Sequence, residues 1–294
     1  MNEKSIDEFI KDRRPNISKS SIKTYSSILR NLYKKVFDSD KINFDDFEKS
    51  KEILDHLKTL EPNKRKTILS ALVVITDNKD YRTQMLDDIK DYNKEQAKQE
   101  KNETQEQSWV SQDEVNLIFK ELEKNAKLLY KKSSLSNSDL QEIQSYIIMA
   151  LLSGVFIPPR RSKDYVDFKI KNVDKSKDNY IEKNKLIFNS YKTAKTYGQQ
   201  TIDIPPGLNA ILKKWVKVNP TDYLLFDSSL KPLSNVKLNQ RINKLFGKKV
   251  SVNQLRHTFL SDKYGDLINK KGELAKDFKD MGSSMIQEST YIKK

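Results

Sequence analysis

The sequence predicts a mainly α-helical protein with one small β-hairpin or sheet, built as a helical N-terminal domain and a mixed α/β C-terminal domain. Three observations lead there. Apolar residues recur at helical spacing through most of the chain. Short alternating stretches are confined to the region around 185–204. A run without any large apolar residue, NKEQAKQEKNETQEQ (93–107), separates two apolar-rich regions. The expected division is therefore a helical domain over 1–92, a linker or solvated helix extension over 93–108, and a second domain over 109–294.

In the first region, Ile22, Tyr25, Ile28, Leu29, Leu32 and Val36 share a helical face between Ile17 and Phe37, with Ser18 as N-cap. Ile53, Leu54 and Leu57 repeat the pattern between Phe47 and Leu60. A third helix begins at Pro62, a good first-turn residue, and carries Ile68, Leu69, Leu72 and Ile75. A fourth covers roughly Tyr81 to Tyr92. Four short helices suggest a small bundle.

Trp109 marks the return of apolar sequence. Ser111–Tyr130 reads as an amphipathic helix. Ser138–Ser153 reads as another, with one broad apolar face and Gly154 just past its end. Lys185–Tyr191 and Thr201–Ile204 read as strands around the polar turn KTAKTYGQQ, a hairpin with a basic tip. Helices follow over Leu208–Val216, Val236–Phe246 and Val252–Gly265, then a last apolar segment around Met281–Tyr291.

Composition narrows the functional classes. With 36% hydrophobic residues the chain can form a core. It has no apolar run long enough to span a membrane, and the charged start MNEKSIDEFIKDRRP does not read as a signal peptide. The absence of cysteine excludes disulfides and thiolate metal sites, and fits a reducing, intracellular compartment. Only His56 and His257 are available as imidazole ligands, so a histidine metal centre is not expected. The net charge of +14 is unevenly placed: residues 1–92 carry 19 Lys and Arg against 17 Asp and Glu, whereas residues 109–294 carry 33 against 20. A polyanion is the partner such an excess fits, because basic side chains displace counterions from a phosphate backbone. On charge alone, a merely soluble, lysine-rich protein is the lesser alternative.

Four segments could carry chemistry: the arginine pair in GVFIPPRRSKDY (154–165), the hairpin tip at Lys192, NQLRHTFLSDKYGD (253–266), and MGSSMIQESTYIKK (281–294). Each has an ordinary reading by itself. An arginine pair is usually solvated or salt-bridged, and a hairpin-tip lysine is usually surface charge, with Lys195 a close competitor for Lys192. Arg256 could pair with Asp262, Tyr291 is one of thirteen tyrosines, and His257 reads as a packed, hydrogen-bonded residue.

Their order resembles the tyrosine recombinases, the phage-integrase family, and in particular divergent members from large DNA viruses, virophages and other mobile elements. Arg161 follows a helix and glycine and has Asp164 three positions on; Arg160 would place Lys163 there. Lys192-Thr193 lies on the hairpin, LRHTF (255–259) contains the second arginine, Arg256, and Gly282 stands nine residues before Tyr291. Two positions depart from the pattern. Asn253 stands where a histidine or lysine is usual, and Ser283 stands where a histidine is usual. Either can hydrogen-bond, but neither can act as a general base near neutral pH. Water or a neighbouring lysine, Lys248 or Lys249, is the expected substitute.

The resemblance implies a core-binding N-terminal domain and a catalytic C-terminal domain that close around double-stranded DNA, acting inside the cell as a homo-tetramer on two DNA sites. It implies a catalytic set of Arg161, Lys192, Asn253, Arg256, Ser283 and Tyr291, supported by Asp164 and His257. The residue types suit the reaction. A phenol with a pKa near ~10 must attack a phosphodiester. Guanidinium forks grip the non-bridging oxygens and stabilise the charge that builds up there. Lys192 is the candidate acid for the leaving 5′-hydroxyl, and the 3′-phosphotyrosyl link conserves bond energy, so neither a cofactor nor a metal is expected. Only Ile292, Lys293 and Lys294 follow Tyr291, so any exchange between subunits is expected to use the tyrosine segment itself or another surface. The same constellation also suits a type IB topoisomerase or a telomere resolvase. A relative that binds DNA without cutting it is a further alternative.

Overall fold

The computed structural model describes residues 5–98 and 100–280, with side chains through residue 274. The chain folds into two compact units, Met1–Glu100 and Lys101–Lys294.

The first unit is helical throughout. Helices α1 (Ile6–Arg13), α2 (Lys19–Phe37), α3 (Ser50–Leu57), α4 (Pro62–Thr76) and α5 (Lys79–Ala97) are joined by short loops, with a 3₁₀ turn at Phe44–Glu48 before α3. Helix α2 starts behind the Ser18 cap and α4 starts on Pro62, as their sequence signals require. Helix α1 was not anticipated. Only Ile6 and Ile10 of it are buried, too few for a periodic signal, and a capping box between Ser5 and Glu8 holds its start. Ile10, Leu29, Phe47, Ile53, Leu57, Leu69 and Leu72 form the fully buried centre of the unit, with Tyr81 beside them. The Tyr81 hydroxyl donates to the Phe47 carbonyl over 2.8 Å, which seats the 3₁₀ turn on α5. A buried ion pair ties α4 to α5. Arg65 Nε contacts both carboxylate oxygens of Asp88, at 3.1 and 2.8 Å, and its Nη1 donates to the Leu60 carbonyl.

Helix α5 extends to Ala97, and α6 (Glu103–Ser108) is closed by a capping box between Asn102 and Gln105. The polar run is therefore helical at both ends. In the second unit follow α7 (Gln112–Leu129), α8 (Asn137–Leu152), α9 (Ser162–Val166), β1 (Tyr180–Glu182), β2 (Lys185–Phe188), α10 (Ala194–Tyr197), β3 (Gln200–Asp203), α11 (Pro206–Val218), α12 (Asn235–Phe246) and α13 (Val252–Asp280). The three strands form one antiparallel sheet in the order β1-β2-β3, with Leu186 opposite Ile181 and Ile202. The architecture is thus mainly helical with a small antiparallel sheet.

Helix α8 is the centre of this unit. The sequence suggests one broad apolar face, yet every residue from Ile143 to Leu152 is buried, because other elements pack around the whole helix. Gln144, itself buried, lies among apolar side chains and is satisfied by backbone. Its amide nitrogen donates to the Phe226 carbonyl over 2.8 Å, and its oxygen accepts from Phe226 N over 2.7 Å. Trp215 stacks on Phe226 at 5.7 Å and donates to the Leu224 carbonyl. Gly154, just beyond α8, has φ +83, and a Cβ there would meet Phe259 Cδ2 at 2.4 Å. Only glycine fits that conformation and that close approach of α13.

Candidate anion site in the second unit

Helix α9 and the start of α13 carry the arginines. Pro158-Pro159 keeps the chain extended ahead of α9, and Arg161 is the residue preceding its first turn. The carboxylate of Asp164, at 2% residue exposure, turns inward from α9. Its ion pair is with Arg160, whose Nε reaches Oδ2 over 2.8 Å, rather than with Arg161. Arg160 lies ahead of the helix, so the contact arises where the extended chain turns into α9. Asp164 Oδ1 has no hydrogen-bond partner among the described residues. Burial pushes the Asp164 carboxyl above the usual carboxylate range, and the charges of Arg160, Arg161 and Arg256 oppose that rise.

Arg256 approaches the same point from the second turn of α13. Its Nη1 donates to Asn253 Oδ1 over 3.1 Å, one turn earlier on the helix. Partial burial and then the charge of Arg161 hold the Arg256 guanidinium below its ordinary pKa, with Asp164 acting in the opposite direction. Arg161 thus lies close enough to disfavour the charge of Arg256, and neither has a carboxylate hydrogen-bonded to it among the described residues. Two such guanidinium groups are chemically suited to an anionic ligand. Two further buried polar atoms on these helices, Tyr165 Oη and Gln254 Nε2, also lack partners among the described residues.

The other sequence-derived candidates occupy different surroundings. Lys192 is exposed in the β2–β3 connection. That connection, expected to be a plain polar turn, contains the one-turn helix α10 and is closed by the Tyr191 hydroxyl donating to the Gly198 carbonyl over 2.7 Å. His257 is exposed rather than packed, since the helical period turns Gln254, Leu255 and Thr258 inward instead. The Lys248 ammonium is engaged at 2.8 Å by the Trp109 carbonyl and at 3.3 Å by Glu114, so it anchors the start of α7; Lys249 is exposed. Ser283 and Tyr291 lie outside the described residues. No cluster of three metal-ligating side chains occurs among the described residues, and no helix among them is long and apolar enough to cross a membrane.

Two residues that sequence reasoning passed over occupy central positions. Arg160 was set aside for Arg161, and because it lies ahead of α9 no helical spacing tied it to Asp164 in the sequence. Asn179 carried no signal. It is buried, and its amide joins the backbone of α9 to that of the β2–β3 connection. Nδ2 donates to the Asp164 and Ser190 carbonyls, and Oδ1 accepts from Asn189 N and Ser190 N, all at 2.8–2.9 Å.

No family model matches the chain, and no curated protein matches it. Among solved structures, the crystal structure of a lambda integrase dimer bound to a COC′ core site is similar to it. The identity is 13% and the TM-score 0.44, over 87% of this chain and 68% of that one. At that level of likeness, the roles of individual residues rest on their own geometry and chemistry.

Proposed function

We propose that the protein is a DNA strand-transfer enzyme of the tyrosine-recombinase type, with Arg161 and Arg256 gripping the scissile phosphate. The observation that carries this reading is that Arg161, just ahead of α9, and Arg256, on the second turn of α13, both act on the buried Asp164 while neither is hydrogen-bonded to a carboxylate among the described residues. The basic excess of the second region, 33 Lys and Arg against 20 Asp and Glu over 109–294, supports a nucleic-acid partner. In the reaction the phenolic oxygen of Tyr291 bonds to phosphorus, its proton passes to solvent, and the bond to the 5′-oxygen breaks. The Lys192 ammonium protonates that oxygen as it leaves. Asn253 holds Arg256 in place by the hydrogen bond already present, a role that needs no titrating group. Ser283 supplies at most a hydrogen bond to the phosphate. Assembly as a tetramer on two sites, with the two units as clamp and catalytic body, belongs to the same proposal.

Covalent trapping tests it. Wild-type protein and Tyr291→Phe are incubated without metal on DNA libraries holding candidate junction sequences, then denatured. A protein–DNA adduct in wild type that is missing in the variant is expected. Tight, salt-sensitive binding without any adduct would leave a DNA-binding relative that does not cut. An adduct that persists in the variant would assign the nucleophile to another tyrosine.

A further inference from the structure

The arginine next to Arg161 has a different task. Arg160 has two of its donors and its face engaged within the protein. Nε is held by Asp164 at 2.8 Å and Nη1 by Gln200 Oε1 at 2.9 Å, while the guanidinium plane lies over Phe188 at 4.0 Å and near the Tyr191 ring at 5.2 Å. Those partners come from four places: α9, the end of β2, the residue before Lys192, and the start of β3. A phosphate is gripped best by a guanidinium whose fork is free, whereas this one already commits Nε and one Nη1 hydrogen to Asp164 and Gln200. A rivet between two pieces of chain needs what Arg160 has.

The geometry points to Arg160 as a positioning residue that locks the connection carrying Lys192 onto α9, so that Lys192 and Arg161 move as one piece. The inference rests on the proposed function for its chemical consequence, but the lock itself stands on contacts. Tyr191 is both Arg160's ring partner and Lys192's neighbour, and its hydroxyl closes the connection on Gly198. Asn179 makes a second tie at the backbone level, from the Asp164 carbonyl to Asn189 and Ser190. With both ties in place, Lys192 follows a segment fixed at its base, although its own side chain is exposed. Lysine cannot replace Arg160 here. It keeps the charge for Asp164, but it lacks the planar face for Phe188 and the fork that spans Asp164 and Gln200.

The test uses the full chain carrying Arg160→Lys, with Gln200→Ala as a milder variant that removes only the Nη1 tie. Hydrogen exchange is read over residues 189–199. Adduct formation is read on DNA with an ordinary scissile 5′-oxygen and on DNA with a bridging 5′-sulfur there, because a thiolate leaves without needing a proton. Expected in Arg160→Lys is exchange faster by about tenfold or more, confined to 189–199, and DNA affinity within about threefold of wild type. Adduct formation on ordinary DNA should slow by about 10²-fold, and the deficit should largely disappear on the sulfur-bridged DNA. Gln200→Ala should shift each quantity the same way by less, and it decides the matter if Arg160→Lys does not fold. Unchanged exchange overturns the lock. Faster exchange with an equal deficit on both DNAs overturns the route through Lys192. Wild type that forms no adduct on either DNA defeats the proposed function instead, and the exchange result then decides the lock by itself.

Discussion

Asp88 in the first unit and Asp164 in the second are both buried aspartates held by an arginine, at 1% and 2% exposure. Their surroundings differ. Asp88 has both oxygens occupied, by Arg65 and by Gln84 Nε2 at 3.1 Å, and hydrogen bonding to Asp88 raises the pKa of Arg65. Asp164 has a single arginine bonded to it, one oxygen without a partner among the described residues, and two further arginines whose charge it feels. In the first arrangement both carboxylate oxygens are answered inside the chain. In the second, one carboxylate oxygen has no partner among the described residues and three arginine charges act on the group. A paired carboxylate secures a helix contact, and the proposed function assigns the second cluster to a ligand.

The contrast is best broken by substitution. Arg65→Ala leaves Asp88 buried without a counterion, and about 3–5 kcal/mol of the first unit's stability should be lost, read as a lower midpoint in chemical denaturation. Arg161→Ala should do the reverse. Stability should stay within about 0.5 kcal/mol of wild type, because a crowding charge is removed, while adduct formation should fall by about 10²–10³-fold. If Arg161→Ala unfolds the protein and Arg65→Ala does not, the two sites have been assigned the wrong way round.

The second unit offers a smaller test by packing. Gly154→Ala places a methyl group against Phe259 and forces alanine to positive φ, so about 1–3 kcal/mol of stability should be lost, measured by thermal unfolding. A silent substitution would mean that α13 does not approach α8 as closely as described.

Titration sharpens the comparison further, with Asp139 as the reference. Lys132 and the Ser136 cap hold its carboxyl well below the usual range, at about 2. A carboxylate depressed on folding contributes stability that is present above its unfolded pKa near ~3.9 and is lost as pH falls towards about 2. The thermal advantage of wild type over Asp139→Asn should therefore grow as pH rises through that window. Asp164 is shifted upward, so the sign reverses. Folding favours its protonated form relative to the unfolded chain, so stability is lost as pH rises from the ordinary range through the raised value. The difference between wild type and Asp164→Asn should drift against wild type over that interval. Parallel slopes for the two variants would show that the Asp164 carboxyl is not raised by burial.

Much of the helical framework was legible. Ser18, Pro62 and Ser111 mark starts that the structure keeps, because capping and first-turn preferences act within a few residues. Helix α13 runs through Gly265 to Asp280, beyond the expected stop, since an isolated glycine weakens a helix by only about 1 kcal/mol and does not end it. Strand β1 escaped notice because three residues carry no alternation to read, and its pairing with β2 depends on a neighbour further along the chain. Within the site, the residue types and their order were legible, and so was the departure at Asn253. That Asp164 bonds to Arg160, that His257 faces outward, and that Lys248 is committed to Trp109 were not.

The sequence by itself determined the helices, the hairpin, the placement of the basic excess, and the arginines available for an anion. Those are consequences of local periodicity, capping and composition, each complete within a short stretch of chain. Tertiary structure alone decided which arginine is free. Arg160 is taken up by Gln200, 40 residues away, and by Phe188, whereas Arg161 is left with no partner among the described residues. Spacing to Asp164 singled out Arg161 in the sequence, but local rules do not say which of two adjacent arginines ends without a partner. The difference arises only when the sheet folds back against α9 and brings a ring and an amide to one guanidinium group and not to the other.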